Sequence, residues 1–476
     1  MLIDPLPFTA NTEREREREK MSNEHVLVLP FPAQGHVNPL MNFSREIAKH
    51  GSKITFVTTE FCHMQMMSAM APGKDSLLGS EIKLVSISDG LCPEDDRNDF
   101  RKLVVSILAT MPTRFEELIR GINNASNGDG KISCIIADLN MGWAMEVANK
   151  MGIRGAILRP ASAASIAFII RIPNLIDEGF IDSNGTPMQR RAIQLHSGIP
   201  AVYPQNLPWN CSPDQATQKC IFNCVLRYAE YLKLADWWLC NTAYELEPAA
   251  FSLVPKLLPV GPIMASDQTR NVGGQFLPED TSCLNWLDQQ PPCSVIYVAF
   301  GSFTILDPIQ FKELVFGLEL SNRPFLLVVR PGSSNILNDA NLNEFEGTRG
   351  KIVRWAPQPK VLNHPAIACF ISHCGWNSTL DGITGGVPFL CWPYFVDQVL
   401  DMNYICDVWK VGLELKPDQD GRILRGEFRK KVEELLSDES IKARSLELKE
   451  MVRSVTEEGG NSYRNFNNFI NWLKKG

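Results

Sequence analysis

Short runs of uninterrupted apolar residues recur along the chain, each followed by a helix-length stretch, and this recurrence limits the fold more than any other feature. His25–Phe31, Lys53–Thr58, Ile82–Ile87 and Ser133–Ala137 form a first series. Val295–Phe300, Phe325–Val329, Lys351–Arg354, Ile367–Ser372 and Phe389–Cys391 form a second, with helical patterns such as Pro308–Leu320 and Ser378–Thr384 between some of them. A strand that is apolar on both faces must be covered on both faces, which is the parallel, doubly wound α/β arrangement. Between the series lies Pro255–Ser282, rich in Pro, Gly and polar residues and without clear periodicity, the composition of a linker. The chain of 476 residues is long enough for two or three cores at roughly 150 residues each. The expectation is two α/β domains facing a cleft between the carboxyl ends of two sheets.

Composition removes several functions. Lys plus Arg is 47 against 54 Asp plus Glu, a formal charge of −7, so binding nucleic acid by releasing counterions is disfavoured. No apolar stretch reaches the roughly 18 residues of a membrane span, and the amino terminus lacks the apolar segment of a secretory signal. Glu13–Lys20 reads EREREREK, a solvated run that cannot bury a face. Residues 1–20 are therefore read as a dispensable extension, Met21 as the functional start and the protein as cytoplasmic. The 13 cysteines include no C-x-x-C pair, as expected for reduced thiols. Cys220 and Cys224 lack the further ligands that would complete a zinc site, so no metal is expected. Asn461–Lys475 carries Tyr463, Phe466, Phe469, Ile470 and Trp472 at near-helical spacing, an apolar stripe expected to pack back on the body.

Of seven histidines, two fall at strand-to-helix junctions. His36 lies in Phe31-Pro-Ala-Gln-Gly-His-Val-Asn-Pro-Leu40, where Asn38 and Pro39 read as a helix cap followed by proline at the first helical position. That puts His36 in a tight loop at the carboxyl end of a strand, facing the cleft. An imidazole there suits proton abstraction near neutrality. Asp138 ends the buried run Ser133–Ala137 in the same sheet. It can accept Nδ1–H of an imidazole and fix its tautomer, or simply cap the helix Trp143–Met151.

The second histidine opens His373-Cys-Gly-Trp-Asn-Ser-Thr379 after strand Ile367–Ser372. Gly375 admits close backbone approach, and Asn377 and Ser378 stand where free helix N–H groups can meet a phosphate. Phe300-Gly-Ser-Phe303, ahead of a helix begun at Asp307-Pro308, has the same form. Each junction alone is also what a plain helix cap looks like; the pair points to a phosphate-bearing ligand. No P-loop, no G-x-G-x-x-G after the first strand and no G-x-S-x-G elbow occurs, against an NTPase, an ordinary dinucleotide dehydrogenase or an α/β-hydrolase. Asp418-Gln-Asp420 lies in a polar turn and reads as a solvated loop.

The segment from Trp355-Ala-Pro-Gln-Pro-Lys through His373-Cys-Gly-Trp-Asn-Ser to Trp392-Pro-Tyr-Phe-Val-Asp-Gln398 closely resembles the signature box of the plant UDP-dependent glycosyltransferases. With the Phe31–Pro39 loop and Phe300-Gly-Ser302, the resemblance spans the chain from Met21. It implies the GT-B architecture: two Rossmann-like doubly wound domains facing a cleft, with acceptor binding by 21–254, a linker at 255–282, UDP-sugar binding by 283–455, and a carboxyl-terminal helix in 456–476 packing back on the first domain.

Carried over residue by residue, the resemblance implies that Trp355 stacks on uracil, Ala356 offers its backbone to the base and Gln358 reaches base and ribose. Ser302, His373, Asn377 and Ser378 match diphosphate contacts. Trp376, Asp397 and Gln398 match sugar contacts, Tyr394 walls the pocket, and Asp381 stands where the family usually has a ribose-binding Glu. The position of a frequent Thr or Ser near the sugar 6-hydroxyl falls on Pro160, with Ser162 close by. His36 and Asp138 match the catalytic base and its partner. A Trp at 376 and a closing Gln accompany glucose in this family.

The implied activity is an inverting, UDP-glucose-dependent glucosyltransferase acting on a hydroxyl of a small apolar metabolite. UDP-glucose is a co-substrate rather than a cofactor, the diphosphate is held without a metal, and the chain acts as a monomer. The acceptor site is expected around Cys92–Arg101, Arg159–Ile172 and Ile199–Cys211. The alternatives carried beside it are a catalytically silent UDP-sugar-binding protein and a sugar-phosphate epimerase of the same architecture.

Overall fold

The computed structural model describes residues 24–70, 81–126, 130–210, 212, 214–263, 273–304, 306–330 and 349–475. The expected extension 1–20 and the middle of the expected linker lie outside the described residues.

The first sheet has seven parallel strands: β1 (His25–Leu29), β2 (Lys53–Thr59), β3 (Ile82–Ile87), β4 (Ile132–Asp138), β5 (Arg154–Arg159), β6 (Trp237–Cys240) and β7 (Leu257–Pro259), in the order β3-β2-β1-β4-β5-β6-β7. The second has six: β8 (Val295–Ala299), β9 (Phe325–Val328), β10 (Gly350–Val353), β11 (Ile367–Ser372), β12 (Phe389–Cys391) and β13 (Gly412–Glu414), in the order β10-β9-β8-β11-β12-β13. Both are the doubly wound sheets that the apolar runs predict. The chain reverses direction across each sheet between β1 and β4 and between β8 and β11, and ligands of such sheets bind outside the carboxyl ends of strands at this switch point.

Four strands do not announce themselves in the sequence. β5 is flanked by Arg154 and Arg159, while β6, β7 and β13 have only three or four residues each. β7 lies inside the stretch read as linker and completes the first sheet, because its Leu257 and Leu258 continue the ladder of β6.

The helix start after β1 also differs from expectation. Helix Gln34–Ala48 begins four residues before Asn38, with Ala33 as its cap, and Pro39 sits inside it. An interior proline costs the helix the bond from its missing N–H to the carbonyl four residues back, here Gly35. That carbonyl accepts instead from Asn377 Nδ2 of the other domain at 2.6 Å, so it is not left unsatisfied.

Packing joins the two units at the base of the cleft. Leu400 and Tyr404 belong to the first domain's core, and Ala161, Ala243 and Leu246 to the second's. The terminal helix Asn461–Leu473 inserts Phe469, Ile470 and Leu473 among Val26, Phe43 and Phe56 of the first domain. Phe469 stacks on Phe43, and Arg154 donates to the carbonyls of Trp472 and Leu473. Of the expected stripe, Phe469 and Ile470 are core and Phe466 and Trp472 pack partly buried against it, while Tyr463 is exposed. Among the described residues no helix is long and apolar enough to cross a membrane.

Candidate active site

The loops at the two switch points face each other. His36, in the first turn of its helix rather than in a loop, places Nδ1 2.6 Å from Asp138 Oδ2. An ionised carboxylate has no proton to give, so Nδ1 carries the hydrogen and Nε2 is left with its lone pair. Asp138 is fully buried, while the His36 side chain is 23% exposed, so the free nitrogen can meet a substrate. The other carboxylate oxygen accepts from Asn140 N at 2.8 Å and caps the 3-10 turn Leu139–Met141. Asp138 thus meets the imidazole with one oxygen and caps this turn with the other; the helix it was expected to cap, Ala144–Met151, has no side-chain cap. The edge of Phe31 packs on the His36 ring with centroids 5.3 Å apart.

Across the cleft, His373 lies between two glycine turns. A Cβ on Gly301 would come within 2.5 Å of its Nε2, and one on Gly375 within 2.6 Å, so both turns require the missing side chain. Gly301 also adopts a φ of 66°. Burial, with Arg330 nearby, pushes the imidazole down to about 4, so without a ligand His373 is neutral at neutral pH. The cation of this region is Arg330, which sequence reading passed over. It donates to the backbone carbonyls of Ser302 and Thr304 and so holds the turn after β8. Its signal was available: a charged residue directly beyond the carboxyl end of a buried strand.

Two of the residues expected at uridine, Gln358 and Asp381, share a network with Tyr297 and with Ser378, expected at the diphosphate. Gln358 donates through Nε2 to Ser378 Oγ at 3.0 Å and Asp381 Oδ2 at 2.9 Å, and accepts from Tyr297 OH at 3.3 Å. Desolvation raises the Asp381 carboxyl to about 6 against the pull of the Gln358 amide. Trp355 is partly exposed, and its indole N–H donates to Gln275 Oε1 at 3.3 Å. Gln34 donates to that oxygen at 3.1 Å and to Gly274 O at 2.8 Å. Residues 274–276 thereby strap the first helix to the uridine side. Ala356 is buried, its carbonyl accepting from Gln358 N.

The expected sugar residues are less open. Trp376 is 3% exposed and its N–H is taken by Asn241 O at 2.8 Å, across the domain boundary. Gln398 is buried, and its Oε1 accepts from Tyr394 N at 2.8 Å and Phe395 N at 3.2 Å, shaping the turn before helix Gln398–Asn403. Asp397, partly exposed, precedes that helix, and Tyr394 packs edge-on against Phe300. Ser162 is fully buried, its hydroxyl beside the buried carboxyl of Asp401.

Comparison with known proteins agrees with this arrangement. Residues 23–124 match the family model "Glycosyltransferase, N-terminal domain", and residues 223–453 match "UDP-glucoronosyl and UDP-glucosyl transferase". The chain is 45% identical to UDP-glycosyltransferase 83A1 of Arabidopsis thaliana, covering 96% of this chain and 98% of that protein. It is 32% identical to 7-deoxyloganetin glucosyltransferase of Catharanthus roseus, covering 94% and 96%. Among solved structures, Os79 from O. sativa in complex with UDP superposes with a TM-score of 0.78 at 26% identity, over 94% of this chain and 100% of that one. Two doubly wound domains, paired switch points and homology along nearly the whole length lead to one assignment: the chain belongs to the plant UDP-glycosyltransferase family, of GT-B fold.

Proposed function

We propose that the protein transfers glucose from UDP-glucose to a hydroxyl of a small, largely apolar acceptor, with inversion at the anomeric carbon. His36 Nε2 takes the hydroxyl proton, the acceptor oxygen bonds to the anomeric carbon, and the bond from that carbon to the diphosphate breaks with its electron pair leaving on UDP. A single displacement from the face opposite UDP gives a β-glucoside. Asp138 holds the Nδ1–H and stabilises the imidazolium formed. The turns at Ser302 and His373–Ser378 stabilise the departing diphosphate through helix N–H groups and side-chain donors.

The observation that carries the reading is the His36–Asp138 contact of 2.6 Å one residue away from Gly35, whose carbonyl touches Asn377 of the opposite domain. A base and a phosphate turn are then neighbours across one cleft. A largely apolar acceptor is supported by a recess lined by Phe31, which packs against His36, and by Phe100, Ile107, Tyr228 and Tyr231, with Arg227 its one charged residue. Helices Phe100–Ala125 and Gln215–Leu234 supply most of it, whereas loops were expected to. Relatives named as glucosyltransferases, such as the 7-deoxyloganetin enzyme of Catharanthus roseus, support glucose as the sugar.

The test is a mass-spectrometric acceptor screen with UDP-glucose, UDP-galactose and UDP-glucuronate in parallel, run with wild type and His36→Ala. Glucosides formed by wild type and lost in His36→Ala support the reading. Donor binding with no product from any acceptor, or undiminished turnover by His36→Ala, removes it.

A further inference from the structure

Arg159 ends β5 at the same edge of the sheet as Asp138, one residue beyond the Leu158 that pairs with Asp138. It is 8% exposed. Among the described residues its side-chain partners are neutral: Nη1 donates to Asn140 Oδ1 at 3.1 Å, Nη2 to Ser165 Oγ at 3.4 Å, and Nε to none. A guanidinium withdrawn from water with no acid in contact is costly unless a counter-charge lies close. Asp138, buried completely, needs a counter-charge equally, because its one side-chain partner is an imidazole that is neutral before the proton is taken. Residues of opposite parity on neighbouring strands point to opposite faces of the sheet, and Asn140 reaches round the strand end to join them. Its backbone N–H donates to Asp138 Oδ1, while its side-chain oxygen accepts from Arg159. The Tyr228 hydroxyl, raised above its usual range by burial, also feels Arg159 and Asp138 with opposite signs, which sets both charges in one neighbourhood.

We propose that Arg159 is a positioning residue for the His36–Asp138 pair: through Asn140 it keeps the carboxylate oriented, so that the imidazole stays in the tautomer with Nε2 free. The role is assigned by the chain of contacts Arg159–Asn140–Asp138–His36, and it deepens the base mechanism proposed above, on which its catalytic meaning rests. Replacement by Lys keeps the charge; Gln keeps a donor without charge; Met keeps neither. The orientation of a histidine by such an outer partner is what fixes which nitrogen is protonated.

The experiment is 15N NMR of the full chain labelled at histidine, with the His36 signals identified by their loss in His36→Asn. Arg159→Met and Arg159→Gln are expected to lose the pattern of a single Nδ1–H tautomer and show averaged ring nitrogens, with Arg159→Lys close to wild type. UDP affinity, measured calorimetrically, stays within about twofold in all three and reports folding; where Met does not fold, Gln carries the comparison. Turnover on a glucosylated acceptor falls about tenfold or more in Met and Gln and is largely restored in Lys. An unchanged His36 pattern in Gln, or a Lys variant as perturbed as Gln, overturns the proposal. Full activity of His36→Ala would instead overturn the base mechanism, whatever the Arg159 variants show.

Discussion

The carbonyl of Gly35, deprived of its helical partner by Pro39, accepts a hydrogen bond from the Asn377 amide at 2.6 Å, and so ties the helix that bears His36 in one domain to the turn after His373 in the other. The cost of breaking this link depends on the proline. Asn377→Ala should destabilise the protein by about 1–2 kcal/mol, the cost of leaving a carbonyl unpaired. Pro39→Ala restores an N–H for Gly35, so the same Asn377→Ala change in that background should cost clearly less. Thermal unfolding of the four proteins gives the coupling. Strictly additive shifts would show that the two residues are independent.

Removal of the base should separate chemistry from binding. His36→Ala is expected to lower turnover on an alcohol acceptor by about 10²–10⁴-fold while calorimetric UDP affinity stays near wild type. Asp138→Asn, which cannot hold the Nδ1–H tautomer in the same way, should lose a comparable factor. A parallel loss of UDP affinity would point to collapse of the switch-point loops instead.

Asp381 predicts a pH dependence on the donor side. Its carboxyl is raised to about 6 by desolvation, so it passes from neutral acid to carboxylate, the form proposed to accept from ribose hydroxyls, between about pH 5 and 7. Uridine, which has no phosphate to titrate, should therefore bind more tightly as the pH rises through about 6. Quenching of Trp355 fluorescence can follow the binding. Asp381→Asn should flatten this limb, and a limb that survives the substitution belongs to another group.

Glu247 makes a prediction about stability. Fully buried, it accepts from Ala163 N and Ala164 N at 2.9 and 3.0 Å and caps helix Ala163–Ile170 from a distant segment. Burial raises its carboxyl from 4.5 to about 7. A group raised on folding favours the folded state in its protonated form, so its contribution is complete below about 4.5 and is lost as the pH climbs through about 7. Glu247→Gln removes one acceptor but also removes this loss. Its deficit in Tm relative to wild type should accordingly be larger at pH 5 than at pH 8; a deficit that grows with pH would contradict the assignment.

Stacking on Trp355 is open to a simpler measurement. Trp355→Ala should weaken uridine by roughly 1–3 kcal/mol, the usual worth of a base on an aromatic face, with little change in Tm because the indole is partly exposed. Unaltered affinity, followed by calorimetry in this variant, would place the base elsewhere.

Much of this architecture was legible in the residues. Continuous apolar runs alternating with helix-length segments mark strands covered on both faces, and this identified both sheets and the ends that bear His36, Asp138 and His373. What failed did so for local reasons: β5 carries an arginine at each end, and β6, β7 and β13 are too short to show a period. Pro39 looked like a helix start because the usual cost of an interior proline is large, and only a donor from the other domain offsets it. The charge state of His373, the double use of Asp138 and the link from Arg159 through Asn140 depend on burial and on contacts between residues far apart in the chain. A sequence records which groups are present and at what spacing along one strand or helix; desolvation and long-range hydrogen bonding arise only when folding brings strands distant in the chain side by side.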